Sequence, residues 1–309
     1  MSPNYSFQFI DRQLIDFPDD FLRFLHDGPV EPMELKKLQE FGQLHPLLVQ
    51  KQAENQYHLL AGYPYFTAIK ILGQEKVACQ ILPPSISPVT LYSLQILHGL
   101  SAPQASPILQ AHLLRKAQHE LPEEELLPLL SLMGYKPQRY KLKELSDFLE
   151  LAPSAILALH RGILSQKSAK QLALLLPEDQ RSLVHLISIY RLGGSKQQKL
   201  VEMVVELVRR GNRPVGEIVD KWLPDQEMTS GNIPQHLQGL LQTLHEQCYP
   251  DKTAAEKKFK ALVQELQTSG EISLVHSLSF EDESIEVRLR FADIAALKER
   301  WGRIKTILP

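Results

Sequence analysis

The side chains best suited to contact another molecule are the basic and amide groups within residues 136–143. Gln and Arg can form paired hydrogen bonds with base edges, whereas Lys is better suited to phosphate groups. The segment therefore predicts contact with double-stranded DNA, in which Gln138 and Arg139 face the bases. Lys136, Lys141 and Lys143 would face the phosphates.

Two predicted helices position these side chains. The first spans residues 123–133 and ends before Gly134, a residue type favoured immediately after a helix. The second begins near Pro137, and Leu142, Leu145, Phe148 and Leu149 form its apolar face. The residues expected to face outward are Gln138, Arg139, Tyr140, Lys141 and Lys143. Two helices joined by a short turn around Gly are typical of a helix-turn-helix. A helical bundle with a basic solvated face would give the same pattern, and both interpretations stay open.

The charge distribution favours a polyanionic partner for one part of the chain. Net charge is −2 over 309 residues, of which 43% are hydrophobic and 23% charged, so ordinary cores can form. Residues 136–213 nevertheless hold twice as many Lys and Arg as Asp and Glu. A basic middle with acidic ends is expected where one domain meets nucleic acid, and it is also compatible with a solvated helical surface. The length allows two or three domains.

Several classes of chemistry lack their residues. The sequence has no Walker A loop, HExxH, GxSxG or paired-cysteine motif. Cys79 and Cys248 are far apart and fit no zinc or redox spacing, and the acidic runs at 123–125 and 281–283 are typical of solvated caps. The start has no secretory pattern, and no apolar run approaches the roughly 20 residues of a membrane span. We therefore expect a cytoplasmic protein with no cofactor, no metal, no membrane contact, and no CTPase or nuclease activity.

Residues 38–82 read as a helix end, two short strands, a helix and a third strand, with Phe7–Ile10 as an earlier edge strand. A Gly-x-x-x-Pro turn at Gly42–Pro46 and an Ala61-Gly62 step connect these elements. This stretch resembles the N-terminal domain of the ParB family of chromosome- and plasmid-partition proteins. The resemblance implies a small mixed α/β domain of the ParB and sulfiredoxin type.

The resemblance also implies that a nucleotide site has been lost. In the family, the Gly opens the motif Gly-Glu-Arg-Arg-x-Arg-Ala, which binds nucleotide phosphates, but residues 62–68 here are Gly-Tyr-Pro-Tyr-Phe-Thr-Ala. A Glu-Asn pair and an Arg complete the family's site, and their positions here hold His98, Gly99 and Ala102. Phosphates need cationic or backbone donors and magnesium needs oxygen ligands. We therefore expect weak or absent CTP binding at a degenerate pocket formed by Gly42, His45, Pro46, Gly62, Tyr63, Pro64, Tyr65, Thr67, His98 and Gly99.

The resemblance continues through the helical middle and ends near residue 220. The segments at 149–153, 161–165 and 168–172 follow the family's pattern after its recognition helix. Residues 253–309 have no such counterpart and are predicted to form a helix, two alternating strands and a final helix capped by Asp293. Partition proteins dimerise through a C-terminal module, so the analogous expectation is self-association through this unit.

The predicted fold class is α+β, mainly α. The expected domains are residues 1–100 (ParB-like), 101–220 (helical, with the helix-turn-helix), 221–252 (a linker with a short helix) and 253–309 (the helix-strand-strand-helix module). The first functional hypothesis is a DNA-binding protein of the partition or transcription-regulator type. The second is a non-catalytic protein-interaction module that has lost DNA binding and presents Tyr63, Tyr65 and Phe66 as an aromatic patch. A diverged enzyme with a new ligand is the third.

Overall fold

The computed structural model of the protein describes residues 5–26, 30, 32–100, 105–211, 214–223, 233–266, 272–277 and 284–307. Its larger sheet is formed by β1 (Ser6–Asp11), β2 (Ile15–Asp16), β3 (Leu47–Ala53), β4 (Gln56–Ala61) and β5 (Lys76–Leu82), in the order β1-β5-β3-β4-β2.

The sheet is mixed, and β3 lies at its centre. β3 pairs with β4 in antiparallel fashion and with β5 in parallel fashion, so Leu47 lies opposite Cys79. β1 is an edge strand that pairs antiparallel with β5. The predicted edge strand at Phe7–Ile10 and the predicted strands around the Ala61-Gly62 step are therefore confirmed.

Four helices accompany this sheet: α1 (Asp20–Leu25), α2 (Pro32–Phe41), α3 (Tyr63–Ile71) and α4 (Pro88–Gly99). Leu38 of α2 and Phe66 and Ile69 of α3 belong to one hydrophobic core with side chains of β3 and β5. Burial of such side chains is the main stabilising contribution to a domain of this kind. The core fixes α3 against the sheet, and with it the Gly62 turn from which α3 begins.

Eight helices follow: α5 (Pro107–Gln118), α6 (Glu123–Leu132), α7 (Arg139–Phe148), α8 (Pro153–His160), α9 (Gln166–Leu172), α10 (Pro177–Ile189), α11 (Gly194–Gly211) and α12 (Val215–Val219). The starts of several are set by local chemistry. Ser106 and Ser165 accept hydrogen bonds from backbone N–H groups three residues later, and α5, α8 and α10 begin with proline. A proline in the first turn loses no hydrogen bond, because that N–H would have no partner within the helix.

Three buried glutamines join the segments between these helices. The Gln110 amide donates to Leu100 O at 2.8 Å and accepts from the Tyr135 hydroxyl at 2.7 Å. Gln180 accepts from Ala152 N at 2.7 Å and donates to the Leu175 carbonyl.

Gln197 makes the same kind of connection. It accepts from Ser165 N at 2.9 Å and donates to the Ile163 and Leu192 carbonyls. Such bonds satisfy loop backbone groups that burial would otherwise leave without a partner.

The chain divides into two compact units, of which the first comprises Met1–Val208 and Arg213–Leu223 and the second Arg209–Asn212 and Pro224–Pro309. The second unit contains α13 (Ile233–Cys248), α14 (Pro250–Glu265), β6 (Ile272–His276), β7 (Ile285–Leu289) and α15 (Ile294–Ile307). Asp293 accepts from Ala296 N at 2.8 Å and so caps α15. The α+β, mainly α fold and the C-terminal helix-strand-strand-helix arrangement are as predicted. Within the described ranges, no helix is long and apolar enough to cross a membrane.

Candidate functional site

The first candidate surface is the start of α7. α6 ends in a turn at Gly134 with φ of +86°, where Tyr135 N donates to Leu130 O at 2.9 Å. A positive φ is easily adopted by glycine, which explains the sharp change of direction. Gln138 is extended and precedes α7, which begins at Arg139, close to the start expected near Pro137.

Four of the five predicted DNA contacts lie on this exposed surface: Lys136, Gln138, Arg139 and Lys143. Arg139 Nε lies 2.6 Å from a carboxylate oxygen of Glu123, at the start of α6, and both side chains are largely exposed. An exposed ion pair contributes little free energy, so the guanidinium can exchange this partner for another anion. Tyr140 is also exposed.

Lys141 does not face outward, and that prediction is wrong. Its side chain is buried, its Nζ lies 2.6 Å from Glu144 Oε1, and the same Nζ lies 4.2 Å from the centre of the Tyr135 ring. Lys170 binds the other oxygen of Glu144. Burial alone would raise the pKa of Glu144, but the hydrogen bonds from Lys141 and Lys170 outweigh it and lower the pKa. Lys141 therefore stabilises the fold of α7 and is not placed to reach a phosphate.

The second candidate site is a cavity of about 480 Å³. It lies between α5 and the sheet domain, by which we mean the five-stranded sheet with α1 to α4. It is lined by the ends of β2 and β4, the start of α3, the end of α4 and one face of α5. The residues of the predicted degenerate pocket that line it are His45, Pro46, Gly62, Tyr63, Pro64, Tyr65, His98 and Gly99. Two segments that are distant in sequence therefore meet at one cavity, as the resemblance implied. Ala102 lies outside the described residues.

Gly42 and Thr67, the other two residues of the predicted pocket, do not line the cavity but take part in hydrogen bonds beside it. The Tyr65 hydroxyl donates to Gly42 O at 3.1 Å and lies 3.2 Å from Leu44 N, which donates to it. The Thr67 hydroxyl donates to Tyr63 O at 3.1 Å, one turn earlier in α3. The bonds of the Tyr65 hydroxyl hold the Gly42 turn against α3, whereas that of Thr67 lies within the helix.

Gly62 is required by the geometry of the cavity wall. Its φ is +96°, and a Cβ at this position would lie 2.7 Å from Leu47 Cδ2. Any other residue would meet both an unfavourable backbone conformation and a steric clash.

The second functional hypothesis assigned an aromatic patch to Tyr63, Tyr65 and Phe66. Phe66 is fully buried in the sheet core and is not part of any surface. Tyr63 and Tyr65 are half-buried. Tyr63 stacks on Phe17 with ring centres 4.1 Å apart, and the Tyr65 hydroxyl is used by the Gly42 turn.

A charged group in the cavity was not predicted from the sequence. The Asp19 carboxylate accepts from His112 Nε2 at 2.8 Å, from Lys116 Nζ at 3.0 Å, and from Leu22 N at 3.0 Å. Burial would raise the pKa of Asp19, but the hydrogen bonds from His112, Leu22 and Lys116 together hold it well below its usual range. This network joins the segment before α1 to α5, and no local signal connects residues so far apart in sequence.

Other titratable groups near the cavity are held in their neutral forms or bound to backbone. Burial lowers the pKa of His26, and it lowers that of His160 to about 4 together with the charges of His26 and Arg161. His98 Nε2 lies 3.0 Å from Pro46 O. Across the residues that the structure describes, no group of three or more His, Cys, Asp or Glu side chains could hold a metal ion.

Comparison with family models and with curated proteins finds no match. Among solved structures, the chain is similar to a C-terminally truncated chromosome-partitioning protein ParB from Caulobacter crescentus complexed to the centromeric parS site. The identity is 17% over 63% of this chain and 98% of that chain, with a TM-score of 0.34. A pNOB8-like ParB N-domain is similar at 16% identity over 85% of this chain and 98% of that chain, with a TM-score of 0.40. Both of these solved structures are of ParB proteins.

Proposed function

We propose that the protein binds double-stranded DNA through the start of α7, as a partition or transcription-regulator type of protein without a working nucleotide site. The observation that carries the proposal is the exposed set of Lys136, Gln138, Arg139 and Lys143 around the first turns of α7. α7 is held on its other face by buried Leu142, Leu145 and Phe148. A helix fixed from behind, with amide and basic groups in front, is suited to lie in the major groove.

A salt titration tests DNA binding. The affinity for mixed-sequence duplex DNA would be measured by fluorescence anisotropy at several salt concentrations. Because each phosphate contact adds about 0.9 to the slope of log K against log salt, Lys136→Ala with Lys143→Ala should flatten the slope by about 2. Lys51→Ala with Lys76→Ala removes the same charge from exposed strand residues and should leave the slope unchanged. No binding at low salt, or equal effects of the two pairs, would contradict the proposal.

Arg139 is proposed to read bases. Arg139→Ala should therefore reduce the difference in affinity between a preferred sequence, selected from a random pool, and mixed DNA, with a cost of about 1–3 kcal/mol at the contacted position. Lys143→Ala should weaken binding to both DNAs by a similar factor. If Arg139→Ala also weakens both equally, the side chain contacts phosphates only.

The cavity supports the proposal that the nucleotide site is degenerate. Among the described residues that line it, Lys116 is the one Lys or Arg, and its ammonium is already paired with Asp19. A triphosphate buried there would lose its hydration without gaining matching cations. Isothermal titration with CTP and magnesium should give no binding in the micromolar range, and a micromolar affinity that depends on magnesium would contradict this part of the proposal.

The C-terminal unit is proposed to self-associate. β6 and β7 place Ile272 opposite Leu289 and Leu274 opposite Val287, so these side chains share one face of the two-stranded sheet. Val287 and Leu289 are exposed, and a two-stranded sheet is only marginally stable when its apolar face meets water. Analytical ultracentrifugation should show a dimer that Val287→Lys dissociates. Glu286→Lys, on the opposite face, should leave it intact, and a wild-type monomer at all concentrations would rule out the dimer.

A further inference from the structure

The cavity next to α5 has walls that suit a ligand quite different from a nucleotide. Much of its lining is apolar and comes from both sides, including Phe17, Leu59 and Tyr63 from the sheet domain and Leu109 and Leu113 from α5. Its volume of about 480 Å³ lies within the range of pockets that enclose small organic molecules, about 300–1,000 Å³.

The charges in the cavity are already matched to one another. The Asp19 carboxylate, which could otherwise meet a cation, is bound by His112 and Lys116, and the charge of Lys116 is therefore not free to meet an anion. Burial favours the neutral form of His26, and His98 is bound to the Pro46 carbonyl. A charged ligand would lose its hydration without finding a free counter-charge, whereas a neutral apolar ligand would lose little.

We propose that this cavity binds an uncharged, mainly aromatic or aliphatic small molecule. The proposal does not depend on DNA binding, and the two can fail separately. It assigns the cavity a ligand class of its own, selected by apolar walls and by charges that are already paired with one another.

Matched fluorescent probes test the charge of the ligand without altering the protein. N-phenyl-1-naphthylamine is neutral, aromatic and has one N–H. 8-anilino-1-naphthalenesulfonate has the same skeleton with an added sulfonate. The neutral probe should bind one saturable site, and the sulfonate should bind at least about tenfold more weakly, since its charge would be buried without a partner. Equal or tighter binding of the sulfonate would overturn the proposal.

Two variants locate the site. Leu109→Trp fills the cavity and should weaken probe binding more than tenfold. Leu97→Trp, on an exposed position of α4, serves as the control and should have no effect.

Circular dichroism melting would establish that both tryptophan variants are folded. Probe binding unchanged in folded Leu109→Trp would overturn the proposal. So would displacement of the probe by CTP at concentrations below a millimolar. DNA binding by Leu109→Trp should equal that of the wild type, which separates the ligand site from the proposed DNA surface.

Discussion

Asp19→Asn isolates the charge of the cavity network while keeping its shape. Asn retains a side-chain oxygen, so it can still cap α1 by accepting from Leu22 N. It loses the negative charge that His112 and Lys116 share, and charge-assisted bonds contribute about 1 kcal/mol more than neutral ones. Lys116 is half exposed, so water screens its part of the attraction. We expect a loss of about 2 kcal/mol in the free energy of unfolding at pH 7.

The neighbouring Asp20→Asn is the matched control. Asp20 is the first residue of α1 and follows the capping Asp19, but its side chain is exposed and pairs with exposed Arg23. Its removal should cost less than about 1 kcal/mol. Urea unfolding followed by circular dichroism measures the free energy of unfolding of both variants. That of Asp19→Asn should be clearly lower than that of Asp20→Asn.

The pH dependence supplies the refuting result. The pKa of Asp19 is lowered in the folded protein, so on acidification the unfolded chain takes up the proton first. The stabilisation is therefore complete above the unfolded pKa, near pH 4, and is lost as the pH falls below it. The difference between wild type and Asp19→Asn should shrink from pH 4 to pH 2.5. A difference that stays constant, or an effect no larger than that of Asp20→Asn, would refute the assigned network.

The remaining predictions concern the cavity wall, a buried histidine and α7. Gly62→Ala should cost about 2–4 kcal/mol in urea unfolding, from backbone strain and the clash with a leucine methyl, whereas Gly73→Ala, where a Cβ meets no neighbour, should cost only about 1–2 kcal/mol. His160 has a pKa of about 4 in the folded protein, so folding stability should fall as the pH drops from 6.5 to 4. In His160→Asn, this fall in the free energy of unfolding should be about 1–2 kcal/mol smaller than in the wild type. This is less than the full pKa shift would give, because solvent screens the charge of the ring. Lys141→Ala should lower the melting temperature because Glu144 loses a buried partner, yet it should leave the salt slope of DNA binding unchanged.

The sequence was most informative where a backbone requirement has a residue signature. The Gly62 turn, the strands before it and the helix after it were predicted because glycine, alternation and helical spacing are local signals. The cavity was predicted for another reason, since a resemblance connected the Gly62 segment with His98 and Gly99. The structure places both segments in the lining of one cavity.

The prediction for Lys141 was wrong because it followed the residue type and not the position of the residue on the helix. It lies four residues before Leu145 and seven before Phe148, so its helical position is on the apolar face of α7. Its basic character nevertheless suggested a phosphate contact. A lysine can be buried at this position because Glu144 pairs with it. Glu144 lies three residues later on the same helix, so the sequence already indicated this pair.

The Asp19 network could not be predicted in this way. His112 and Lys116 are one turn apart on α5, which the sequence does indicate, but their carboxylate partner lies more than 90 residues earlier. Pairing at that separation depends on how the sheet domain meets α5, and a single sequence has no local signal for it.

The buried glutamines bear on how the helical part responds to electrolyte. Gln110, Gln180 and Gln197 fasten loops through neutral amides, and mobile ions have no charge to shield in such bonds. As the Debye length contracts from about 30 Å to 8 Å with rising ionic strength, the free energy that these hydrogen bonds contribute should stay the same. The positions of the helices should then not change with salt concentration. If the protein binds DNA as proposed, the salt dependence of its affinity would come from the basic side chains at the start of α7.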